Sequence, residues 1–331
     1  MLWRGDFQNA RQLLQAMARR ADSKSKPKKS GKVAIEPAKP SPAEAFHLHR
    51  QAQSQRARTL GMLLIPVNAD YSIPLRRSPE VKLACSEAYG ERHEAFIVSL
   101  RELLGLIGAH EWRKNGVEIH ALGNRIHPYY GVFSPVRGEY VNLVAEAPLP
   151  SQTLAFDIGT GSGILAAVLA KRGVKHIIAT DQDQRALACA HDNLTRLGYT
   201  SQVELMQTDL FPPGLAPLIV CNPPWLPARP SSPIEHAIYD PESRMLLGFI
   251  NGLAGHLAPK GEGWLILSDF AEHLGLRTRD ELLAAISKAG LKVLGKIDIK
   301  PHHPKVSDSS DPLHQARMQE LTSLWRLAHD V

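Results

Sequence analysis

From residue 152 onward, short apolar runs alternate with stretches of helical spacing. "TLAFDIG" (153–159), "HIIATD" (176–181), "VELMQTD" (203–209), "APLIVCN" (216–222) and "GWLILSD" (263–269) predict strands, and 162–172, 184–197, 242–257 and 278–289 predict helices. Strands separated by helices imply a mostly parallel sheet covered on both faces, a doubly wound α/β fold. "LKVLGKIDI" (291–299) and "SLWRLA" (323–328) close the chain as strands, with no confident helix between them. An antiparallel hairpin carrying a long insertion, roughly 301–318, is the simplest pairing.

The pattern before 152 is less regular. Trp3, Phe7, Ala10, Leu14 and Met17 follow one another at steps of three and four, which predicts an amphipathic helix over 2–20, with Arg4, Arg11 and Arg19 opposite. "SKSKPKKSGK" (23–32) and "EPAKPSPAEA" (36–45) lack large apolar side chains and predict a disordered linker. Helical spacing returns in 78–90, where Ser78 is a candidate N-cap before Pro79, and in 92–108. Asn115-Gly116 signals a hairpin, and 125–135 a further short strand. The predicted organisation is a basic arm over 1–58, a smaller α+β substrate-recognition domain over 59–140, and a nucleotide-binding-type domain over 141–331.

Charge sharpens the first of these divisions. The net charge is +6, yet residues 1–60 hold 13 Lys/Arg and 4 Asp/Glu, so the remaining 271 residues carry −3. A cationic arm favours a polyanionic partner, RNA above others, or serves as a solubilising tail. An arginine-bearing targeting helix is a third reading, against which Asp6 and the absence of serine count. No apolar run reaches membrane-spanning length, so no membrane association is expected. Three scattered cysteines, Cys85, Cys189 and Cys221, suit neither a disulfide framework nor a zinc site. They point to a reducing cytoplasm. His302 and His303, with His314 nearby, lack metal-ligand spacing, and no metal is expected. Cys221 on a central strand reads as a small buried hydrophobe rather than a nucleophile.

Candidate chemistry concentrates at the carboxyl ends of the predicted strands, where such sheets bind ligands. Asp157, Gly159, Thr160, Gly161 and Gly163 form a strand-to-helix turn in which glycines let the backbone approach a ligand. Such a turn serves NAD, FAD and S-adenosylmethionine alike. Asp157 would repel a pyrophosphate and welcome an ammonium. Asp181 ends the next strand, where a carboxylate accepts ribose hydroxyls, and Asp209 ends the third, within reach of an adenine amino group. Each acid alone also reads as a capping or loop carboxylate. The fourth strand ends in Asn222-Pro223-Pro224-Trp225. Prolines stop the strand in a rigid turn that presents the Asn222 amide oxygen and the Pro223 carbonyl as paired acceptors for an NH2 group, with Trp225 as a flat face beside them.

In order and spacing, "GTGSG", "ATDQD", "QTDLF" and "CNPPW" resemble the class I S-adenosylmethionine-dependent methyltransferases with an (N/D)PP(Y/F/W) motif. Within that branch they resemble the HemK-like enzymes that modify a glutamine of peptide release factors. The resemblance spans about 130–300. It implies a Rossmann-like seven-stranded sheet of order 3-2-1-4-5-7-6 with strand 7 antiparallel. It also implies S-adenosylmethionine as cofactor: Asp157, Gly159, Thr160, Gly161 and Gly163 on the methionine part, Asp181 on the ribose, Asp209 on the adenine, and Asn222 with Pro223 on the acceptor nitrogen. "GVFSPVRGEYV" (131–141) partly matches the family's PR-x-x-T-E segment, with Val136-Arg137 after Pro135 and Tyr140 after Glu139. The expected activity is N-methylation of a glutamine in a macromolecular acceptor, a translation factor or ribosomal protein. Methylation of an exocyclic amino group in rRNA or another nucleic acid, and a non-catalytic RNA-binding role on the same fold, are the alternatives. A hydride-transfer enzyme is disfavoured, since nothing after the first turn matches such a site. Oligomeric state is not legible.

Overall fold

The computed structural model of the protein describes residues 1–23, 40–134, 138–230, 235, 238–301, 308 and 310–330. Most of the lysine-rich linker, Pro135-Val136-Arg137 of the upstream motif, and His302-His303 lie outside the described residues. The chain divides into two compact units, Met1–Lys114 and Asn115–Val331. The sequence reading placed boundaries at 58 and 140 instead.

The first unit gathers the arm's helices into a core. α1 (Phe7–Ser23) buries Phe7 and Ala10, and α2 (Pro42–Gly61) buries Phe46 and Leu60. The second helix occupies residues expected as linker. Its start is a capping box, in which Ser41 Oγ accepts the Glu44 N–H at 3.3 Å and Glu44 Oε2 accepts the Ser41 N–H at 2.8 Å, with Pro42 at the first turn. β1 (Leu64–Val67) follows. Ser78, expected as an N-cap, donates its hydroxyl to the Ile73 carbonyl instead, and α3 (Lys82–Tyr89) opens later. Residues 96–99, expected as helix, form β2 (Phe96–Ser99), antiparallel to β1 with Leu64 opposite Ser99. A strand partner distant in sequence overrides local spacing here. α4 (Leu100–Asn115) then runs to Asn115, so Asn115-Gly116 ends a helix rather than turning a hairpin. Gly116 supplies the positive φ, 70°, that such an exit favours.

The second unit opens with a hairpin of β3 (Val117–Ile119) and β4 (Asn124–Ile126), followed by α5 (Glu139–Glu146). Then come β5 (Leu154–Ile158), α6 (Ile164–Lys171), β6 (His176–Asp181), α7 (Gln184–Leu197), β7 (Val203–Gln207), β8 (Ala216–Cys221), α8 (Arg244–His256) and β9 (Leu257–Ser268). α9 (Phe270–His273), α10 (Arg279–Lys288), β10 (Leu291–Ile299), α11 (His314–Gln319) and β11 (Thr322–His329) complete it. Seven strands form one sheet in the order β10-β11-β9-β8-β5-β6-β7. Numbered within the sheet this is 6-7-5-4-1-2-3, the expected order read from the other edge. β11 is antiparallel to both neighbours, and β5, β6, β7, β8 and β9 pair in parallel.

Apolar clusters cover both faces. One joins Tyr140, Val144, Leu165, Val168 and Trp264; the other joins Phe156, Ile219, Phe249, Leu265 and Leu327. That two-sided burial explains why β5 and β8 read as continuous apolar runs. No helix among the described residues is long and apolar enough to cross a membrane.

Candidate active site

Register builds the site. Ile158, the last residue of β5, lies opposite Thr180 of β6 and Cys221 of β8. Gly159, Asp181 and Asn222 therefore leave three adjacent strands at one level, with a strand spacing of about 4.8 Å. Their neighbours β6 and β8 flank β5 on opposite sides, so the chain reverses its winding direction here, the place where open α/β sheets form a crevice.

The glycine turn is held from within. Gly159, Gly161 and Gly163 all have positive φ, at 70°, 55° and 80°. A Cβ on Gly163 would stand 3.1 Å from the Cα of Ala190, so only glycine lets α6 start this close to α7. Asp157 is 1% exposed, and its Oδ2 accepts both the Thr160 hydroxyl at 2.7 Å and the Ala166 N–H at 3.0 Å. Burial pushes its carboxyl up to about 6, against the lowering effect of those two bonds. Asp181 accepts the Gly161 N–H on Oδ2 and the Asp183 N–H on Oδ1, and burial raises its pKa as well. Each of its oxygens keeps a lone pair for a further donor.

Asn193 fastens this turn to the segment before it. Fully buried on α7, it donates to the Ser162 carbonyl at 3.0 Å and accepts the His127 N–H at 2.8 Å. Nothing in the sequence pattern singled it out, because an asparagine on an amphipathic helix usually faces water. Ser162 Oγ is buried without a hydrogen-bond partner among the described residues, an orphan polar atom in the turn.

The Asn222 turn is similarly fixed. Trp225 donates its indole N–H to Asn222 Oδ1 at 3.0 Å. Trp225 was expected only as a flat face; its ring also packs partly against the core. Pro223 is buried and Pro224 half-buried. Downstream, Leu226 and Asp240 are tied by the Asp240 N–H to the Leu226 carbonyl at 2.8 Å. Asp240 then caps α8 by accepting the Met245 and Leu246 N–H groups. Cys221 is fully buried, and burial drives its thiol well above the ordinary range, in keeping with a small hydrophobe.

Two features differ in detail from the expected cofactor cradle. Met245 lies over the turn, its Cε against the place where a Cβ on Gly159 would stand. Asp209, two positions beyond the end of β7, is half-exposed and ion-paired with Arg244 through Oδ2. The structure thus brings together Asp157 with Thr160, Gly161 with Asp181, and Asn222 with Trp225, while Asp209 joins α8. Met245 and Arg244 were not expected from the sequence; only their place at the start of a helix following Asp240-Pro241 signalled them.

The residues present fit S-adenosylmethionine. At the strand ends stand glycines that admit close approach and Asp181, a carboxylate with open lone pairs, and the turn itself carries the orphan Ser162 hydroxyl. Asp157 with Gly159, Thr160, Gly161 and Gly163 would hold the methionine part, and Asp181 the ribose.

Sequence comparison finds similar methyltransferases. The family description "Ribosomal protein L11 methyltransferase (PrmA)" matches residues 143–223. A release factor glutamine methyltransferase of Cereibacter sphaeroides is 38% identical over 112 residues, 33% of this chain and 38% of that protein. A tRNA1(Val) (adenine(37)-N6)-methyltransferase of Shewanella is 30% identical over 109 residues, 31% of this chain and 46% of that protein. A ribosomal protein L11 methyltransferase of Vibrio campbellii is 34% identical over 127 residues, 38% of both chains. The matches thus span less than half the length of these relatives. The sheet order is that of the Rossmann-like methyltransferase fold, and the second unit is similar to these S-adenosylmethionine-dependent enzymes over the matched segment.

Proposed function

We propose that this protein transfers a methyl group from S-adenosylmethionine to a planar amide nitrogen, the side chain of a glutamine in a translation protein, as a HemK-like enzyme. The observation that carries the reading is the Asn222 turn, in which the Trp225 indole fixes the amide oxygen at the level of the glycine turn. S-adenosylmethionine, when bound, supplies an electrophilic sulfonium methyl. The chain's own part is to position the nucleophile. An amide nitrogen attacks poorly because its lone pair is delocalised. Asn222 Oδ1, which keeps a lone pair beside the Trp225 bond, and the Pro223 carbonyl would accept its two N–H groups and aim the lone pair at the methyl. Both bonds strengthen as positive charge grows on nitrogen, so they favour the transition state over the ground state. Pro224 keeps the turn rigid. Loss of the proton follows methylation, when that nitrogen has become acidic, so no strong base is required first.

A protein acceptor is favoured by the release factor and L11 relatives and by the −3 balance of residues 61–331, and glutamine by the release factor relative. The tRNA adenine relative and the basic first 60 residues favour a second reading, an exocyclic amino group of a nucleic-acid base. Incubating the protein with tritiated S-adenosylmethionine and lysate from cells lacking the gene separates them. Label that protease removes and RNase spares is the expected outcome; the reverse pattern assigns the activity to RNA. No label, with no binding of cofactor, overturns the methyltransferase reading.

A further inference from the structure

Arg277 stands in the loop between α9 and α10, beyond the carboxyl end of β9, the parallel neighbour of β8. Its Nε and Nη2 are buried and have no hydrogen-bond partner among the described residues. These two nitrogens form one edge of the guanidinium, the edge that grips two oxygens side by side. Two other arginines show that edge engaged. Arg326 gives Nε and Nη2 to Glu262 at 2.8 and 2.6 Å, and Arg56 gives them to Asp22 at 2.8 and 3.3 Å.

Among the described residues, the neighbouring carboxylates bond to other donors and none to Arg277. Glu272 receives Arg279 Nε on both oxygens at 2.9 Å, and Glu281 Oε2 receives the Thr278 N–H at 2.7 Å. Asp240 receives the amides that open α8. Burial, the largest influence, lowers the guanidinium's pKa, so the cation is held at a cost. An unpaired buried donor destabilises a fold, so a native chain that keeps one calls for a reason, and a ligand that completes it is one.

We propose that the Nε/Nη2 edge of Arg277 is a carboxylate-binding subsite for the protein acceptor, in the loop region that follows β9, the strand beside β8. This rests on the methyltransferase reading and adds to it a specificity residue. The methionine end of the cofactor belongs to the glycine turn at β5, two strands and about 10 Å from β9. Arg277 is therefore on the acceptor side. A nucleic-acid backbone would bring successive phosphates, each favoured by its own cation. Around Arg277 stand Asp240, Glu272 and Glu281, with Arg279 already paired, a setting that opposes a run of phosphates more strongly than a single carboxylate.

The test uses the full chain and its Arg277→Met and Arg277→Lys variants, with three readouts: adenosylhomocysteine affinity, thermal midpoint, and tritium transfer against lysate concentration. Arg277→Met is expected to bind adenosylhomocysteine as wild type does and to melt at the same temperature or higher, since an unsatisfied charge has been removed. Its half-saturating lysate concentration is expected to rise about 10- to 100-fold, the worth of hydrogen bonds to a charged group. Arg277→Lys should fall between. Sodium acetate should inhibit wild-type transfer more than transfer by Arg277→Met at matched ionic strength. A lower melting temperature for Arg277→Met, or an unchanged concentration dependence beside a labelling wild type, overturns this proposal alone. Inhibition by inorganic phosphate but not acetate, with RNase-sensitive label, also overturns it and hands the edge to a nucleic acid. A wild type that neither binds adenosylhomocysteine nor transfers label overturns the methyltransferase reading and this subsite together.

Discussion

Asn222 and Trp225 act as a pair, because an amide side chain at the end of a strand otherwise rotates between two faces that differ only in which atom they present. The indole N–H selects the oxygen face. Trp225→Phe keeps the ring and removes that selection, so turnover should fall about 10-fold or more while adenosylhomocysteine affinity stays unchanged. Asn222→Ala should cost more turnover still, again without loss of cofactor affinity. A parallel fall in both quantities would remove Asn222 from the acceptor role. Asp157 makes a prediction of a different kind. Its carboxyl titrates near 6 in the fold against 3.8 for the free group, with burial as the main cause. Between those values the folded chain holds a proton that the unfolded chain has released, so this group's contribution to stability falls as pH rises from about 4 to 6. The loss is on the order of 1–3 kcal/mol. Urea midpoints at pH 4, 5, 6 and 7 should show Asp157→Asn losing that decline. A ligand bearing an ammonium favours the ionised carboxylate, so adenosylhomocysteine should bind more tightly at pH 7 than at pH 5.

At the scale of elements, the junction of α6 with α7 decides whether the glycine turn holds its shape. Gly163→Ala combines a φ of 80° with a Cβ 3.1 Å from the Ala190 backbone, so α7 must yield. A loss of about 2 kcal/mol in urea unfolding, together with weaker adenosylhomocysteine binding, is the expected result. Gly163 and the elements around it were legible in the sequence because β5, β6 and β8 are buried on both faces, which leaves an apolar run that water-facing residues do not interrupt. The first unit was harder to read. Phe96–Ser99 lies inside a run with helical spacing and is a strand only because Leu64–Val67 pairs with it from more than 25 residues away. α2 had a readable signal, Ser41 and Glu44 in capping-box spacing around Pro42, hidden inside a stretch whose composition said linker. Within the site, spacing located Asp157, Asp181 and Asn222 because strand ends fix them. It missed Asn193, Met245 and Arg277, whose roles depend on which neighbour tertiary packing brings to them.

At the scale of the molecule, charge and candidate chemistry are separated along the chain. The excess of positive charge, 13 Lys/Arg against 4 Asp/Glu, is confined to residues 1–60, while the residues proposed for cofactor and acceptor lie between 157 and 277 in a segment of negative balance. If the arm serves to contact RNA, its contribution should appear as a salt dependence and leave the cofactor site untouched. Lys24, Lys26, Lys28, Lys29, Lys32 and Lys39 are six cations between α1 and α2 that can be exchanged for glutamine without touching Phe7, Ala10, Phe46 or Leu60 of the first unit's core. The six-fold variant should bind ribosomal RNA with a log affinity–log salt slope shallower by up to about 5 than wild type. Its adenosylhomocysteine affinity and melting temperature should be unchanged. Methyl transfer to a free protein acceptor should survive the exchange at every salt concentration, because one carboxylate at Arg277 and one amide at Asn222 require no polyanion. Transfer that falls in step with the RNA slope would instead mean that the acceptor is presented on RNA, and that the arm brings the second unit to it.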